Sequence, residues 1–232
     1  MRHRRIGLAI AAVVAVAASA VAALALLPDD DVPAGCDDIR AYQERYGKIE
    51  TLGDGRRTLT VLGDSYSAGD ALTDRGSRWT DVLVELDPDL TVRLDAIAST
   101  GYANPGACGP DSYRDRIDRA ADGAQTLVIQ GGLNDVFAEA DTIERAVADV
   151  LDTATAEAGT VVIVGPMDVP GRDGEARVDA LLAEAAAQRG LPYVSTLEWD
   201  LPVGDDRVHL TPDGHRQYAE RILGALDAAG LR

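Results

Sequence analysis

Thr160-Val161-Val162-Ile163-Val164 is apolar throughout after its threonine and rich in β-branched residues. A strand with one solvated face alternates apolar and polar side chains. An unbroken apolar run predicts a strand covered on both faces, as in a parallel sheet. Comparable runs occur at Leu59–Leu62, Leu90–Ile97, Thr126–Gln130 and Pro192–Thr196. Between them lie helical stretches at roughly 77–87, 111–122, 139–158 and 173–190, and a last one runs from about Pro212 to Ala229. A further helix is expected before the first strand, from Asp37 to Lys48, ending near Gly47. Five strands alternating with five helices predict an α/β fold built on a doubly wound, largely parallel sheet. No internal repeat interrupts the pattern.

The N-terminus reads differently. Met1-Arg2-His3-Arg4-Arg5 is basic, and the uncharged, mostly apolar segment 6–27 follows it. At about 1.5 Å per residue that segment spans roughly 33 Å, enough for a bilayer core of about 30 Å. Residues 1–27 therefore read as a signal-anchor, or as a signal peptide cut near Ala18-Ser19-Ala20. The arginines before the segment and Asp29-Asp30-Asp31 after it place the body of the chain outside the cytoplasm. Residues 28–52 are expected to hold a linker and the first helix, and residues 53–232 one domain with a hydrophobic core. An exported chain with two cysteines favours a Cys36–Cys108 disulfide over two free thiols. Lipidation of Cys36 fits less well, because the aspartate run separates it from the apolar segment.

The net charge is −17, and losing Arg2, Arg4 and Arg5 with no acid leaves the exported part at −20. Such a surface repels phosphate backbones, so nucleic acid is not an expected partner. The membrane is a partner only through the N-terminal segment, and a monomer is expected. One usable histidine and no cysteine cluster argue against a metal site, and no cofactor is expected.

The strand Leu59–Leu62 runs directly into Gly63-Asp64-Ser65-Tyr66-Ser67-Ala68-Gly69. This places a serine hydroxyl in a tight turn beyond a strand's carboxyl end, where open α/β sheets bind ligands. A serine there becomes a nucleophile only with a base. Of the three histidines, His3 lies in the basic tail, whereas His209 and His215 lie in Asp205-Asp206-Arg207-Val208-His209-Leu210-Thr211-Pro212-Asp213-Gly214-His215. Histidine is the usual base near neutral pH, and it needs an acceptor on its second ring nitrogen. Asp206 can supply that acceptor to His209. His215, with Asp213 nearby, falls where the last helix begins and is read as a helix residue.

Attack on an acyl carbon creates an oxyanion that requires preorganised donors. Candidates are the Ser65 N–H, a Gly101 N–H after the second long strand, and the Asn134 side-chain amide in Gly131-Gly132-Leu133-Asn134-Asp135. Asn134-Asp135 is equally compatible with a helix cap or a turn. All these residues follow strands, so they converge on one sheet edge.

Gly63-Asp64-Ser65-Tyr66-Ser67, Gly101, Gly132-Leu133-Asn134-Asp135 and Asp206-Arg207-Val208-His209 resemble, in order, the four blocks of SGNH hydrolases, the GDSL-type esterases and lipases. The resemblance spans residues 58–229. It implies a three-layer α/β/α sandwich and hydrolysis of acyl esters. It also implies Ser65 as nucleophile, His209 as base, Asp206 as its partner, and an oxyanion hole of Ser65, Gly101 and Asn134. The glycine block lacks the asparagine often found before that glycine, which leaves Gly106 or Gly109 as alternative donors. Asp64 reads as a turn-stabilising residue. Tyr66, Tyr102 and Phe137 are candidates to line a substrate pocket, although lone aromatics near turns more often pack.

Three other readings share these residues. An O-acyltransferase would pass the acyl group to a sugar or another alcohol. A non-catalytic binding module would make the Ser/His/Asp set a coincidence. A flavin protein would need a phosphate-cradling loop, which the sequence lacks.

Overall fold

The computed structural model describes residues 35–231. The expected membrane segment 1–27 and the linker before Gly35 lie outside the described residues. Residues from Asp38 onward form one compact unit. Among the described residues, no helix is long and apolar enough to cross a membrane.

In chain order the elements are α1 (Cys36–Tyr46), β1 (Glu50–Leu52), β2 (Arg57–Gly63), α2 (Ser65–Ala68), α3 (Trp79–Leu86), β3 (Leu90–Ala96) and α4 (Tyr113–Ala121). They continue with β4 (Thr126–Gln130), α5 (Ala140–Glu157), β5 (Thr160–Met167), α6 (Glu175–Arg189), β6 (Tyr193–Thr196) and α7 (Pro212–Ala228). The sheet has six strands in the order β1-β3-β2-β4-β5-β6. Strands β3, β2, β4, β5 and β6 are parallel. Val61, Leu62, Leu127, Val128, Ile129 and Val161–Val164 are all buried, so both faces of the central strands are covered. Helices α3 and α7 pack together, and α4, α5 and α6 pack in series as a second group. The three-layer expectation holds.

Two elements differ from the sequence reading. Strand β1 pairs antiparallel with β3, Glu50 opposite Leu94 and Leu52 opposite Val92. It makes a sixth strand and brings residues 50–52 into the sheet, ahead of the expected domain start at 53. A three-residue edge strand is too short to show a period. The turn after β2 is also a short helix, α2, rather than a bare turn.

Topology decides where the site falls. The chain leaves β2 toward β3 on one side and later returns to β4 on the other. The carboxyl end of β2 is therefore a topological switch point, where crossovers on opposite faces open a crevice. Ser65 begins the first turn beyond it.

Candidate active site

The Ser65 turn is built from its own sequence. Asp64 caps α2, its Oδ1 accepting the Tyr66 N–H at 3.0 Å. Gly69 closes the helix at φ 76°, with its N–H donating to Ser65 O at 3.0 Å. Gly63 allows the strand and helix to touch, since a Cβ there would lie 2.3 Å from Ser67 Oγ. Ser67 faces inward and donates to Gln130 Oε1 at 2.6 Å. Gln130 in turn donates to Asp64 Oδ1 at 3.2 Å. Trp79 extends the network, its indole N–H donating to Ser67 Oγ and its backbone N–H to His215 Nδ1, both at 3.2 Å. The polar groups under Ser65 thus support one another in a dry environment.

Asp64 is the exception within that network, because its buried Oδ2 has no hydrogen-bond partner. Burial pushes its carboxyl up to about 6, against the lowering effects of the Tyr66 N–H, Gln130 and the charges of His209 and Arg116.

His209 and Asp206 are brought together as expected. Asp206 Oδ2 lies 2.6 Å from His209 Nδ1, while its Oδ1 accepts the N–H groups of Val208 at 2.9 Å and His209 at 3.0 Å. Burial tends to raise the Asp206 carboxyl. The hydrogen bonds from Val208 and from the His209 ring and backbone overcome it and hold the carboxyl down at about 2. The pairing sets Nδ1 as the protonated nitrogen and leaves Nε2 as the basic one. Tyr66 links this loop to the Ser65 turn, its hydroxyl donating to Val208 O at 2.5 Å with its ring 6.1 Å from that of His209. No hydrogen bond joins Ser65 to His209 among the described residues. Such contacts commonly tighten only when substrate is bound.

His215 has a structural place. It is 1% exposed and accepts the Trp79 N–H. Burial, followed by the charges of His209 and Arg78, lowers it to about 4. It is a neutral hydrogen-bond acceptor whose Nδ1 is occupied.

The loop after β3 is organised by Asp135. Its carboxylate accepts the backbone N–H groups of Tyr102, Ala103 and Asn104 at 2.8, 3.0 and 2.9 Å. Gly101 is required because a Cβ would lie 2.3 Å from Asp135 Oδ2. The Gly101 N–H donates to Asn104 O at 3.0 Å. The Gly106 N–H is likewise taken, by Asn104 Oδ1. Asn134 Nδ2 donates to Thr100 O at 2.8 Å, which uses one of the two hydrogens an amide NH2 carries. Among the described residues, neither the second hydrogen nor the N–H of Ser65 is engaged in another hydrogen bond.

A fully buried arginine fixes the distance between the two loops. Arg116 donates to Gly63 O and Thr100 Oγ1 through one nitrogen, and to Asp95 through another. It spans the end of β2 and the loop that Asn134 grips.

The expected pocket aromatics separate. Tyr102 is completely buried with its ring 5.0 Å from that of Tyr113, which removes it from any surface a substrate could reach. Tyr66 is also buried and serves the His209 loop. Phe137 alone is open, at 82% exposure. Cys36 and Cys108 are both disulfide-bonded. Among the described residues, no group of three or more His, Cys, Asp or Glu side chains is placed to hold a metal ion.

Sequence reading missed Asp135, Arg116 and the Gln130–Ser67 pair as site-building residues. Gln130 carried a signal, because a polar residue ending an apolar strand needs a buried partner. Asp135 is visible in the sequence only as the end of the Gly132-Leu133-Asn134-Asp135 block, and Arg116 carried no signal, since the groups each one binds are distant in sequence.

Comparison with known proteins agrees with this fold. The model of the GDSL-like Lipase/Acylhydrolase family matches residues 61–217. No curated protein matches the sequence. Among solved structures, TesA is 21% identical with a TM-score of 0.61, over 74% of this chain and 99% of that one. A carbohydrate acetylesterase family member from Sinorhizobium meliloti is 16% identical with a TM-score of 0.61, over 75% and 99%. A family two carbohydrate esterase from Clostridium thermocellum, solved with cellohexaose, is 17% identical with a TM-score of 0.61, over 76% and 65%. At these identities the structures share the fold.

Proposed function

The chain belongs to the GDSL-like lipase/acylhydrolase family and is a carboxylic ester hydrolase, and we propose that it works through an acyl-enzyme on Ser65, outside the cytoplasm. The observation that carries this reading is the 2.6 Å contact between His209 Nδ1 and Asp206 Oδ2, on the sheet edge that also presents Ser65. His209 Nε2 takes the Ser65 proton as Oγ attacks the acyl carbon. The oxyanion is held by the Ser65 N–H and the Asn134 amide, each worth about 3–4 kcal/mol by the effect of removing such a donor. Gly101 shapes the loop and contributes its N–H only if the bond to Asn104 is released. The imidazolium then protonates the leaving alcohol, and a water repeats the sequence to free the acid.

The export reading rests on the basic residues and apolar segment at the N-terminus. Carbohydrate esterases among the structural neighbours make an acetylated sugar a reasonable substrate to test. An O-acyltransferase would use the same acyl-enzyme, and product analysis with an added alcohol separates the two.

The test is hydrolysis of p-nitrophenyl acetate by the purified protein in mild detergent. Ser65→Ala and His209→Ala are expected to lose nearly all activity, and His215→Ala to keep most of it. Full activity in Ser65→Ala would refute the mechanism. An active His209→Ala beside an inactive His215→Ala would transfer the base to the other histidine.

A further inference from the structure

Acids outnumber bases 39 to 22 in this chain, so an arginine at the surface ordinarily finds a carboxylate. Arg172 does not: among the described residues it forms no ion pair and no side-chain hydrogen bond. Its guanidinium carbon lies instead 5.9 Å from the ring centroid of the exposed Phe137, within cation–π range. Arg172 is itself partly exposed, which leaves its donors open to a ligand.

The guanidinium lies beside the reacting groups. Phe137 is three residues after Asn134, on the same turn. A Cβ on Gly174 would lie 3.1 Å from Val136 Cβ, so the loop that carries Arg172 abuts this turn. Arg177 fastens the two by donating to Val136 O at 2.8 Å and to Ala138 O at 3.2 Å. On the other side stands Tyr66, whose hydroxyl donates to Val208 O, next to His209. Burial and the Asp64 charge raise that hydroxyl, and the Arg172 charge lowers it. Arg172 thus falls between the Asn134 turn and the His209 loop.

We propose that Arg172 binds a carboxylate on the alcohol part of the substrate, so that the preferred esters are hydroxycarboxylic acids acylated on their hydroxyl. The alcohol side follows from His209, because the imidazolium gives its proton to the leaving oxygen and Arg172 stands near that loop. The planar fork of a guanidinium matches a carboxylate through two parallel hydrogen bonds. The Phe137 ring holds the fork in place before the ligand arrives. A phosphate monoester, with about −1.5 to −2 charges at neutral pH, fits less well. Asp206 and Glu175 act on the same Tyr66 hydroxyl as Arg172, so one cation must outweigh nearby acids, which favours a ligand with a single charge. The carboxylate takes no part in the bond changes: water enters, the acyl–oxygen bond breaks and the leaving oxygen gains a proton. The inference rests on ester hydrolysis at Ser65 and adds a substrate class to it.

The experiment measures kcat/KM for para-acetoxybenzoate and for para-acetoxybenzamide, a neutral ester of the same shape, with the full chain in mild detergent. Leaving-group reactivity cancels when the carboxylate-to-amide ratio is compared between proteins. Both esters are read on one preparation, so a loss of folded protein does not alter the ratio. Arg172→Met is expected to lower it about tenfold or more, and Arg172→Lys, which keeps the charge without the fork, to lower it less. Phe137→Ala, which removes the ring beneath the guanidinium, should lower it about threefold. Added salt should lower the ratio of the parent protein and leave that of Arg172→Met unchanged, because the pair is open to screening. An unchanged ratio in Arg172→Met would overturn the assignment. An Arg172-dependent preference for para-acetoxyphenyl phosphate over para-acetoxybenzoate would overturn the choice of a carboxylate. Undiminished turnover of both esters by Ser65→Ala would instead refute the acyl-enzyme reading on which the inference rests.

Discussion

Replacing Asp64 with asparagine should remove a pH-dependent cost that the protein carries at neutral pH, although Asp64 caps the Ser65 helix and the new NH2 takes the place of an oxygen without a partner. Its Oδ1 accepts two hydrogen bonds and its Oδ2 none. Asparagine retains the accepting oxygen and the shape while removing the charge. Burial raises the carboxyl from 3.8 to about 6 in the folded state, which corresponds to about 3 kcal/mol. The sign follows from proton binding. Between pH 3.8 and about 6 the folded state holds a proton that the unfolded state has released, so stability falls as pH rises. Below that window Asp64 is neutral in both states, and above it the full cost is present.

The difference in unfolding free energy between Asp64→Asn and the parent protein should therefore grow by about 3 kcal/mol from pH 3.5 to pH 7. The difference is the diagnostic quantity, because His215 titrates with the opposite sense. Its lowered value makes the fold lose stability as pH falls from 6.5 to about 4, which partly cancels Asp64 in the parent protein. The assay is urea unfolding of both proteins at a series of pH values, followed by tryptophan fluorescence. A pH-independent difference would show that the Asp64 carboxyl is not raised and refute the reasoning.

Other expected outcomes address the supporting residues. Asp135→Asn keeps only one accepting oxygen for three backbone N–H groups. It should cost about 2–4 kcal/mol of stability and lower kcat on p-nitrophenyl acetate about 10–100-fold. Unchanged kcat would remove the Gly101 loop from the oxyanion machinery. His215→Ala leaves the buried Trp79 N–H unpaired and opens a cavity, so thermal and urea unfolding should report a loss of about 2–4 kcal/mol. Its kcat should stay within about threefold of the parent protein. Arg116→Met leaves Asp95 paired with Arg119 but removes the bonds by which one side chain ties Gly63 O to Thr100 Oγ1. It should destabilise by about 2–4 kcal/mol for the buried hydrogen bonds lost, and a loss below about 1 kcal/mol in urea unfolding would show that Arg116 does not tie the two loops.

The sequence alone determined the layering, because strands buried on both faces must be apolar throughout and the helices between them must be amphipathic. It also placed Ser65 directly beyond a strand, and Asp206 and His209 in the loop that follows the last strand, on the edge where a parallel sheet gathers its carboxyl ends. Asp206 and His209 were legible for a further reason, as a three-residue spacing lets one carboxylate grip both the ring and the backbone locally. Tertiary structure decided what spacing does not encode. Gly101 reads as a donor from the sequence, and the folded loop adds a demand no spacing shows, room for the Asp135 carboxylate. Tyr102 read as a pocket residue and is core, whereas Phe137 stands open beside Arg172. Whether an aromatic side chain is buried or presented depends on what packs over it, and those partners come from elsewhere in the chain.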